Sequence, residues 1–316
     1  MKDFNHRCHG AIAALPTPYR MGRVDLQALE GLCHRLIDRG LVALAPCGTT
    51  GEGSLLTPDE HRQVVATTVA AAAGRVPVIA GTSSNNTQVA LELARSAEDA
   101  GASAILAVTP FYLKPTQAGM VAHFRAIHDA VGIPIILYDV PSRTACAIDD
   151  VTVRRLGEFP RIVGLKDATG DIPRVGRLRR RLGSDFLLLS GDDSTQAAFR
   201  IAGGDGCISV TANVAPALCA ALHRACDEGL PDDIQWYDQL LQPLDAALFL
   251  EANPIPLKRA LSRLGLMGDG LRLPLTPLSP EHDRKLAQAL ELAMRAEDRE
   301  AARFAAKHKH ATPRAA

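Results

Sequence analysis

Short apolar runs recur along the chain, and longer segments with apolar side chains at helical spacing separate them. The runs are rich in Val, Ile and Leu and are bounded by Gly or Pro, which is typical of strands in a parallel sheet that is covered on both faces. Eight such runs occur, at residues 10–16, 42–47, 76–81, 104–108, 134–139, 162–166, 186–190 and 206–210. This alternation predicts an α/β protein.

The segments between the runs predict helices, among them residues 25–39, 58–73, 87–100, 117–131 and 194–202. Their ends carry suitable capping residues, with Thr57 and Pro58 at one start and Gly40, Gly74 and Gly101 near three ends. Eight β-α units in about 215 residues approach the size of a (β/α)8 barrel, about 250 residues. A doubly wound open sheet is the alternative, but no G-x-G-x-x-G follows the first run.

The strand-like runs end before Gly229, and three further helical patterns follow at residues 232–251, 255–264 and 280–299. We therefore expect a TIM barrel over residues 1–228 and a C-terminal helical extension over residues 229–300. Residues 301–316 are expected to form a disordered tail, because the end of the chain is polar and rich in Ala.

The composition narrows the class of partner. The 316 residues carry 35 basic and 35 acidic side chains, so the chain lacks the broad positive potential of a nucleic-acid or anionic-membrane binder. With 47% apolar residues it can bury a sizeable core, and a small molecule is the expected ligand. The best candidate for a membrane span, residues 206–222, is interrupted by polar side chains and predicts a strand plus a helix instead.

The cysteines indicate the compartment. Seven cysteines are scattered without a C-x-x-C pair, which fits reduced thiols better than a disulfide framework or a zinc site. The apolar stretch at residues 11–15 is too short for a secretory signal. We therefore expect a cytoplasmic protein.

Only seven of the 35 basic residues are lysines, so each can be considered individually. Lys166 lies in the sixth predicted strand, where an ammonium group is rare unless it has a partner or a task. An amine in an apolar site favours its neutral form, which is the form that attacks a ketone to make a Schiff base. The alternative is an ion pair with Asp139 or Asp167. The other six lysines lie near the termini, in a loop or on predicted helices, and carry no such argument.

Other candidates lie at the C-terminal ends of the strands, where barrel enzymes keep their reactive groups. Thr49 and Thr50 form a turn between glycines that suits a carboxylate, although a plain turn has the same pattern. Tyr112 and Tyr138 follow or end two strands, where a hydroxyl can pass protons; the alternative for Tyr138 is a core tyrosine. Arg143 suits bidentate recognition of a carboxylate, or else a surface ion pair.

The seventh strand is followed by Gly191, whose lack of a side chain would let a ligand or the lysine chain pass close to the backbone. Asp192 and Asp193 come next. Adjacent carboxylates without a nearby His more often cap a helix than bind a metal, so no metal site is predicted.

Six ordered motifs carry a resemblance to a known family. They are Gly-Thr-Thr-Gly-Glu at 48–52, Thr-Pro-Phe-Tyr at 109–112, Tyr-Asp-Val-Pro-Ser-Arg-Thr at 138–144, Gly-Leu-Lys-Asp-Ala-Thr-Gly at 164–170, Gly-Cys-Ile-Ser-Val-Thr-Ala-Asn-Val at 206–214 and Asn-Pro-Ile-Pro-Leu-Lys at 253–258. In this order the chain resembles the dihydrodipicolinate synthase / N-acetylneuraminate lyase family.

The resemblance implies a class I, Schiff-base, pyruvate-dependent aldolase or lyase on a (β/α)8 barrel. It implies no cofactor beyond a covalent imine of pyruvate on Lys166. Thr49, Tyr138 and Tyr112 would form a hydroxyl relay for protons. Because Tyr112 would come from a neighbouring subunit, the resemblance also implies a homo-oligomer, a dimer or a tetramer of dimers.

The implied substrate contacts are made by Thr50 with the pyruvate carboxylate and by the backbone of Gly191 and Ile208. Arg143 separates the subfamilies, because members that resemble the synthase carry Ser-Arg-Thr here and sialate lyases do not. The implied reaction is the condensation of pyruvate with L-aspartate 4-semialdehyde to 4-hydroxy-tetrahydrodipicolinate, which leads to lysine and diaminopimelate.

Several positions depart from the family pattern. Asp139 stands where the motif commonly has Asn, and Phe111 replaces the tyrosine common beside Tyr112. Val89 and Pro58 stand where lysine-inhibited members have Glu and His. A pocket for an ammonium group that has lost an acid and a hydroxyl binds it poorly, so feedback inhibition by lysine is not expected.

Two rival functions stay open at this point. One is another pyruvate-dependent aldolase or lyase of the same family, acting on a sugar acid or a hydroxy-acid, which the sequence separates only through Arg143 and the loops. The other is a non-catalytic metabolite-binding barrel, which predicts the loss of the lysine or of relay residues, and none of these is lost.

Overall fold

Eight strands form one parallel sheet in the computed structural model, which describes residues 2–309. The strands, in chain order, are β1 (Gly10–Ala14), β2 (Tyr19–Arg20), β3 (Arg23–Val24), β4 (Ala43–Ala45), β5 (Ile79–Gly81), β6 (Ala104–Val108), β7 (Ile135–Asp139), β8 (Ile162–Asp167), β9 (Leu187–Ser190) and β10 (Gly206–Ser209). β2 and β3 form a separate antiparallel hairpin. The other eight correspond to the eight predicted runs.

The sheet closes into a barrel. Its strand order is β4-β1-β10-β9-β8-β7-β6-β5, and a parallel bridge between Leu44 and Val78 joins the two ends. The N–H of Leu44 also donates to the oxygen of Pro77 at 3.0 Å, and the N–H of Gly81 donates to Pro46 at 2.9 Å. This closure confirms the predicted (β/α)8 barrel and rules out the doubly wound sheet.

Helices cover the outside of the sheet and continue beyond it. They are α1 (Lys2–Arg7), α2 (Leu26–Asp38), α3 (Pro58–Ala72), α4 (Thr87–Asp99), α5 (Gln117–Ala130), α6 (Pro141–Thr144), α7 (Asp150–Leu156), α8 (Ile172–Leu182), α9 (Gln196–Ile201), α10 (Pro216–Glu228), α11 (Pro231–Ala247), α12 (Ile255–Arg263) and α13 (Pro280–Lys309). Thr57 and Glu60 form a capping box at the start of α3, where Pro58 occupies the first helical position. Within the described residues, no helix combines the length and the apolarity that crossing a bilayer requires.

The last helix is longer than predicted. α13 packs on α10 and α11 and continues through Lys309, ten residues beyond the predicted end, so residues 301–309 are helical rather than a disordered tail. Phe304 provides a physical reason: its ring packs so close to Gly40 that a Cβ there would be 2.8 Å from the ring. Residues 310–316 of the predicted tail lie outside the described residues.

Candidate active site

Lys166 lies in β8 at the carboxyl end of the barrel. In the register of the sheet it is flanked by Tyr138 of β7 and Leu189 of β9, and only 7% of its surface is exposed. Its Nζ is 4.3 Å from the centroid of the Tyr138 ring. Both side chains line a cavity of about 240 Å³, whose wall also includes Thr49, Thr50, Arg143 and Gly191. The structure therefore brings six of the eight predicted site residues into one cavity.

The two carboxylates considered as partners of Lys166 bind a different cation. Asp139 and Asp167 follow Tyr138 and Lys166 directly, so they point to the opposite face of the sheet. There Nη1 of Arg174 in α8 donates to Asp139 at 2.9 Å and to Asp167 at 3.2 Å. Lys166 has no ion pair within residues 2–309. The alternative interpretation of Lys166 as one half of an ion pair is therefore wrong for the described chain.

Asp139 is the least satisfied member of this cluster. Its Oδ2 accepts from Arg174 and from the N–H of Ile148 at 3.2 Å, whereas its buried Oδ1 has no hydrogen-bond partner among the described residues. Burial raises the pKa of Asp139 to about 6, although the Arg174 guanidinium acts in the opposite direction. Arg174 also binds Asp150 of α7 at 3.0 Å, so one guanidinium joins β7, β8 and α7 behind the cavity.

The turn that carries the two threonines is held from several sides. The hydroxyl of Thr17 donates to the oxygen of Gly51 at 2.6 Å, and Gly53 lies so close to Cys47 that a Cβ there would be 2.1 Å from its carbonyl oxygen. Thr50 is buried, and its Oγ1 accepts from Nδ2 of Asn253 at 2.9 Å. The turn is thus a fixed part of the cavity wall rather than a mobile loop end.

Arg143 lies in the short helix α6 at the mouth of the cavity. It is exposed, and no hydrogen bond or ion pair to its guanidinium occurs in the described part of the chain, so the surface ion pair weighed from the sequence is absent there. Thr144 next to it is buried and accepts from the hydroxyl of Thr109 at 3.1 Å, which anchors this turn. An anchored turn with an unpaired guanidinium can bind a carboxylate that enters the cavity.

Gly191 lies directly beside the lysine. A Cβ at this position would be 3.0 Å from Cε of Lys166 and 2.8 Å from Cβ of Ala168, so only glycine leaves room for the lysine chain. Asp192 accepts from the N–H of Ser194 at 3.0 Å as a helix cap, and the buried Asp193 accepts from the N–H of Val210 at 2.9 Å. Both carboxylates thus have structural contacts.

The structure does not bring the two remaining predicted residues into the cavity. Ile208 is buried in β10, and the cavity wall on this side is formed by Val210 instead. Tyr112 lies on the loop between β6 and α5 with a positive φ of 71° and is 84% exposed. Within the described residues of one chain, no hydrogen bond joins the hydroxyls of Thr49, Tyr138 and Tyr112.

A second cavity of about 240 Å³ adjoins the first and shares Thr49, Tyr138 and Arg143 with it. Its further walls are mostly apolar and include Phe111, and among the described residues that line it there is no carboxylate. His61 also lines it, and its Nε2 lies 2.7 Å from the oxygen of Gly81. Burial lowers the pKa of His61, so the ring is neutral there.

Two features of the site were not predicted from the sequence: a buried ion pair and the part of the cavity wall that comes from the helical extension. Lys258, on α12, is fully buried and forms an ion pair with the fully buried Glu52. Burial lowers the pKa of Lys258 to about 8, although Glu52 acts in the opposite direction. Asn253 and Phe249, from the helical extension, complete the cavity wall. The Asn-Pro-Ile-Pro-Leu-Lys motif at 253–258 is the signal that could have indicated both Asn253 and Lys258.

The closed barrel and the polar cavity at its carboxyl end define an enzyme of the (β/α)8-barrel class, in which a buried, unpaired lysine is the candidate nucleophile. The sequence model of the Dihydrodipicolinate synthetase family matches residues 7–293. The chain belongs to this family.

Similar proteins agree with this assignment. A 4-hydroxy-tetrahydrodipicolinate synthase of Rhodospirillum centenum is 49% identical over 268 residues, which are 85% of this chain and 92% of that protein. The crystal structure of dihydrodipicolinate synthase from Aquifex aeolicus is 42% identical, covers 90% of this chain and 97% of its own, and has a TM-score of 0.88. That of the chloride-inhibited dihydrodipicolinate synthase from Acinetobacter baumannii, complexed with pyruvate, is 43% identical, covers 91% and 99%, and has a TM-score of 0.89.

Proposed function

We propose that this protein condenses pyruvate with L-aspartate 4-semialdehyde to form 4-hydroxy-tetrahydrodipicolinate, a step toward lysine and diaminopimelate. One observation carries the proposal: the unpaired amine of Lys166 shares a cavity with Thr50 and with an unpaired Arg143. The names of the similar proteins support the same activity.

The reaction begins with imine formation. The Nζ of Lys166 attacks C2 of pyruvate, two protons pass from this nitrogen to the carbonyl oxygen, and the oxygen leaves as water. The imine nitrogen takes up a proton, and loss of a proton from the methyl carbon then gives the enamine. The imine serves as the electron sink for this step, so the scheme needs no metal and no organic cofactor.

Carbon–carbon bond formation follows. The enamine carbon attacks the aldehyde carbon of the second substrate, and the new alkoxide takes up a proton. The amino group of that substrate then attacks C2, closes the ring and expels the amine of Lys166. Two organic substrates thus give one cyclic product and one water.

The proton transfers require hydroxyls near Lys166. We assign them to Thr49, Tyr138 and Tyr112, in line with general acid–base catalysis through hydrogen-bonded groups. Tyr138 already flanks the amine, whereas Tyr112 is exposed on its own chain. We therefore propose that Tyr112 enters the site of a second copy, which makes a dimer, or a tetramer of dimers, the working unit.

Charge recognition is divided between two ends of the cavity. Thr50, with backbone contacts at Gly191 and Ile208, is assigned to the carboxylate of pyruvate. Arg143 at the mouth is assigned to the carboxylate of the aldehyde substrate, for which a bidentate guanidinium is well suited. We also propose a cytoplasmic location, which the seven free cysteines support.

Reduction with borohydride in the presence of pyruvate tests the covalent step. We expect the intact mass to increase by one reduced pyruvate adduct, and the adduct to be absent from Lys166→Ala. An adduct that persists in Lys166→Ala, or no adduct on the wild-type protein, would refute the assignment of the Schiff base.

Turnover with L-aspartate 4-semialdehyde tests the acceptor. We expect pyruvate consumption to depend on this aldehyde and to fall at least about tenfold in Arg143→Ala, because a charged hydrogen-bonding partner is lost. Equal rates in the two proteins, with the adduct still formed, would leave an aldolase of the same family that uses a different acceptor.

A further inference from the structure

The segment after α11 touches the turn of residues 48–53 at two buried points. Nδ2 of Asn253 donates to Oγ1 of Thr50 at 2.9 Å, and Nζ of Lys258 forms an ion pair with Glu52. Asn253 and Thr50 are both more than nine-tenths buried, and both line the cavity that holds Lys166. The C-terminal extension is therefore part of the site.

The ion pair holds the turn in place. Glu52 has a left-handed backbone conformation with a φ of 51°, and its Oε2 also accepts from the N–H of Arg272 at 3.3 Å. Lys258 in turn donates to the oxygen of Gly270 at 2.8 Å, and its Nζ is 4.0 Å from the centroid of the Tyr19 ring. With both charged groups fully buried and well partnered, the turn cannot easily shift relative to α12.

The direction of the hydrogen bond between Asn253 and Thr50 has a chemical consequence. A threonine hydroxyl has one proton to donate and lone pairs that accept. Because the amide of Asn253 donates to Thr50, the hydrogen bond occupies a lone pair and leaves the proton of Thr50 free. Thr50 donates to no acceptor within residues 2–309. Its O–H is thus available to an anion in the cavity.

We propose that Asn253 is a positioning residue that turns the O–H of Thr50 toward the carboxylate of the 2-oxo acid bound at Lys166. The inference rests on the function proposed above and assigns a share of pyruvate binding to the helical extension. Asn253 acts here through Thr50, not through direct contact with the substrate.

A double-mutant cycle tests this coupling. We expect Asn253→Ala and Thr50→Val each to raise the KM for pyruvate about tenfold, the size associated with a hydrogen bond to a charged group. Asn253→Ala added to Thr50→Val should then change this KM no further. Effects that multiply in the double variant, or an unchanged KM in Asn253→Ala, would overturn the proposal.

A second variant covers the case in which Asn253→Ala fails to fold. Asn253→Asp keeps the shape of the side chain but can only accept a hydrogen bond. The O–H of Thr50 would then donate to the new carboxylate instead of to the substrate. We therefore expect a larger rise in the KM for pyruvate than alanine causes. Wild-type affinity for pyruvate in Asn253→Asp would equally overturn the proposal.

Asn5 provides a matched control. Its Nδ2 donates to the oxygen of Asp185 at 2.5 Å, next to the amino ends of the strands and away from the cavity. We expect Asn5→Ala to lower the thermal stability and to leave the KM for pyruvate unchanged.

Borohydride trapping at increasing pyruvate concentrations separates this inference from the proposed function. If the wild-type protein gives no adduct, the proposed function fails. If it gives one, and Asn253→Ala and Asn253→Asp are trapped at the same pyruvate concentrations as the wild type, only the inference about Asn253 fails.

Discussion

Replacing Asp139 by asparagine removes one carboxylate from a cluster in which Arg174 binds Asp139 and Asp167 at once. Asparagine has nearly the same shape and is the residue that the family motif commonly has here. Removing one partner of a buried ion pair usually destabilises a protein, because it leaves the other charge unpaired. Arg174 would still bind Asp167 and Asp150, so we do not expect this penalty.

The size of the expected stability change follows from the pKa of Asp139. Burial raises the pKa of Asp139 from 3.8 to about 6. Above about pH 6, where the carboxyl group is ionised, this shift destabilises the folded state by about 3 kcal/mol. The sign is that of an acid whose pKa is higher in the folded state, so folding loses stability as the pH rises from about 4 to about 6. Asn stays neutral and avoids this loss. We therefore expect Asp139→Asn to be more stable by up to about 3 kcal/mol near pH 7.5, and by about half as much near pH 5.

Chemical denaturation at the two pH values measures this difference. Asp150→Asn is a control of opposite sign on the same arginine. Burial raises the pKa of Asp150, but hydrogen bonds from Arg177 and Arg174 outweigh this and bring it below its ordinary value. Ionised Asp150 thus contributes stability that is lost as the pH falls, and its asparagine variant should be less stable near neutral pH. A lower stability of Asp139→Asn near pH 7.5, or a gain that is the same at both pH values, would refute the reasoning.

Three further predictions concern other parts of the site. Glu52→Gln leaves the amine of Lys258 buried without its carboxylate, so it should lower the free energy of unfolding by about 3–5 kcal/mol near neutral pH. The loss should be smaller at alkaline pH, where the amine loses its proton. Denaturant titration at both pH values measures the two losses, and equal losses would contradict the prediction. Gly191→Ala should slow borohydride trapping of pyruvate at least about tenfold, because the new Cβ displaces the side chain of Lys166. Trapping at the wild-type rate would show that the lysine is not displaced. Millimolar L-lysine should leave the initial rate of condensation unchanged, because Val89 and Pro58 stand where lysine-inhibited members of the family have Glu and His. Saturable inhibition would show that this interpretation is wrong.

The barrel could be predicted from the sequence because its determinants are local. A strand buried on both faces needs a continuous apolar run, and Gly or Pro lies at or near an end of the runs between residue 10 and residue 210. The predicted helix ends agree with the structure to within a few residues where caps such as Thr57 and Gly40 mark them. At α13 no such mark exists, and the helix continues because Phe304 packs against a helix end some 260 residues earlier in the chain, a distance in sequence that no local pattern encodes.

In the site, too, local sequence determines some features and contacts between distant segments determine the others. The sequence alone could place Lys166, Tyr138, Thr50 and Gly191 together, because the carboxyl ends of parallel barrel strands all meet at one face. It could not determine which charged groups are paired. Asp139 binds Arg174 rather than Lys166, Lys258 is as deeply buried as any lysine in the described chain, and Asn253 reaches Thr50 across 203 positions. Burial and pairing depend on which distant segments pack together, and only the tertiary structure decides that.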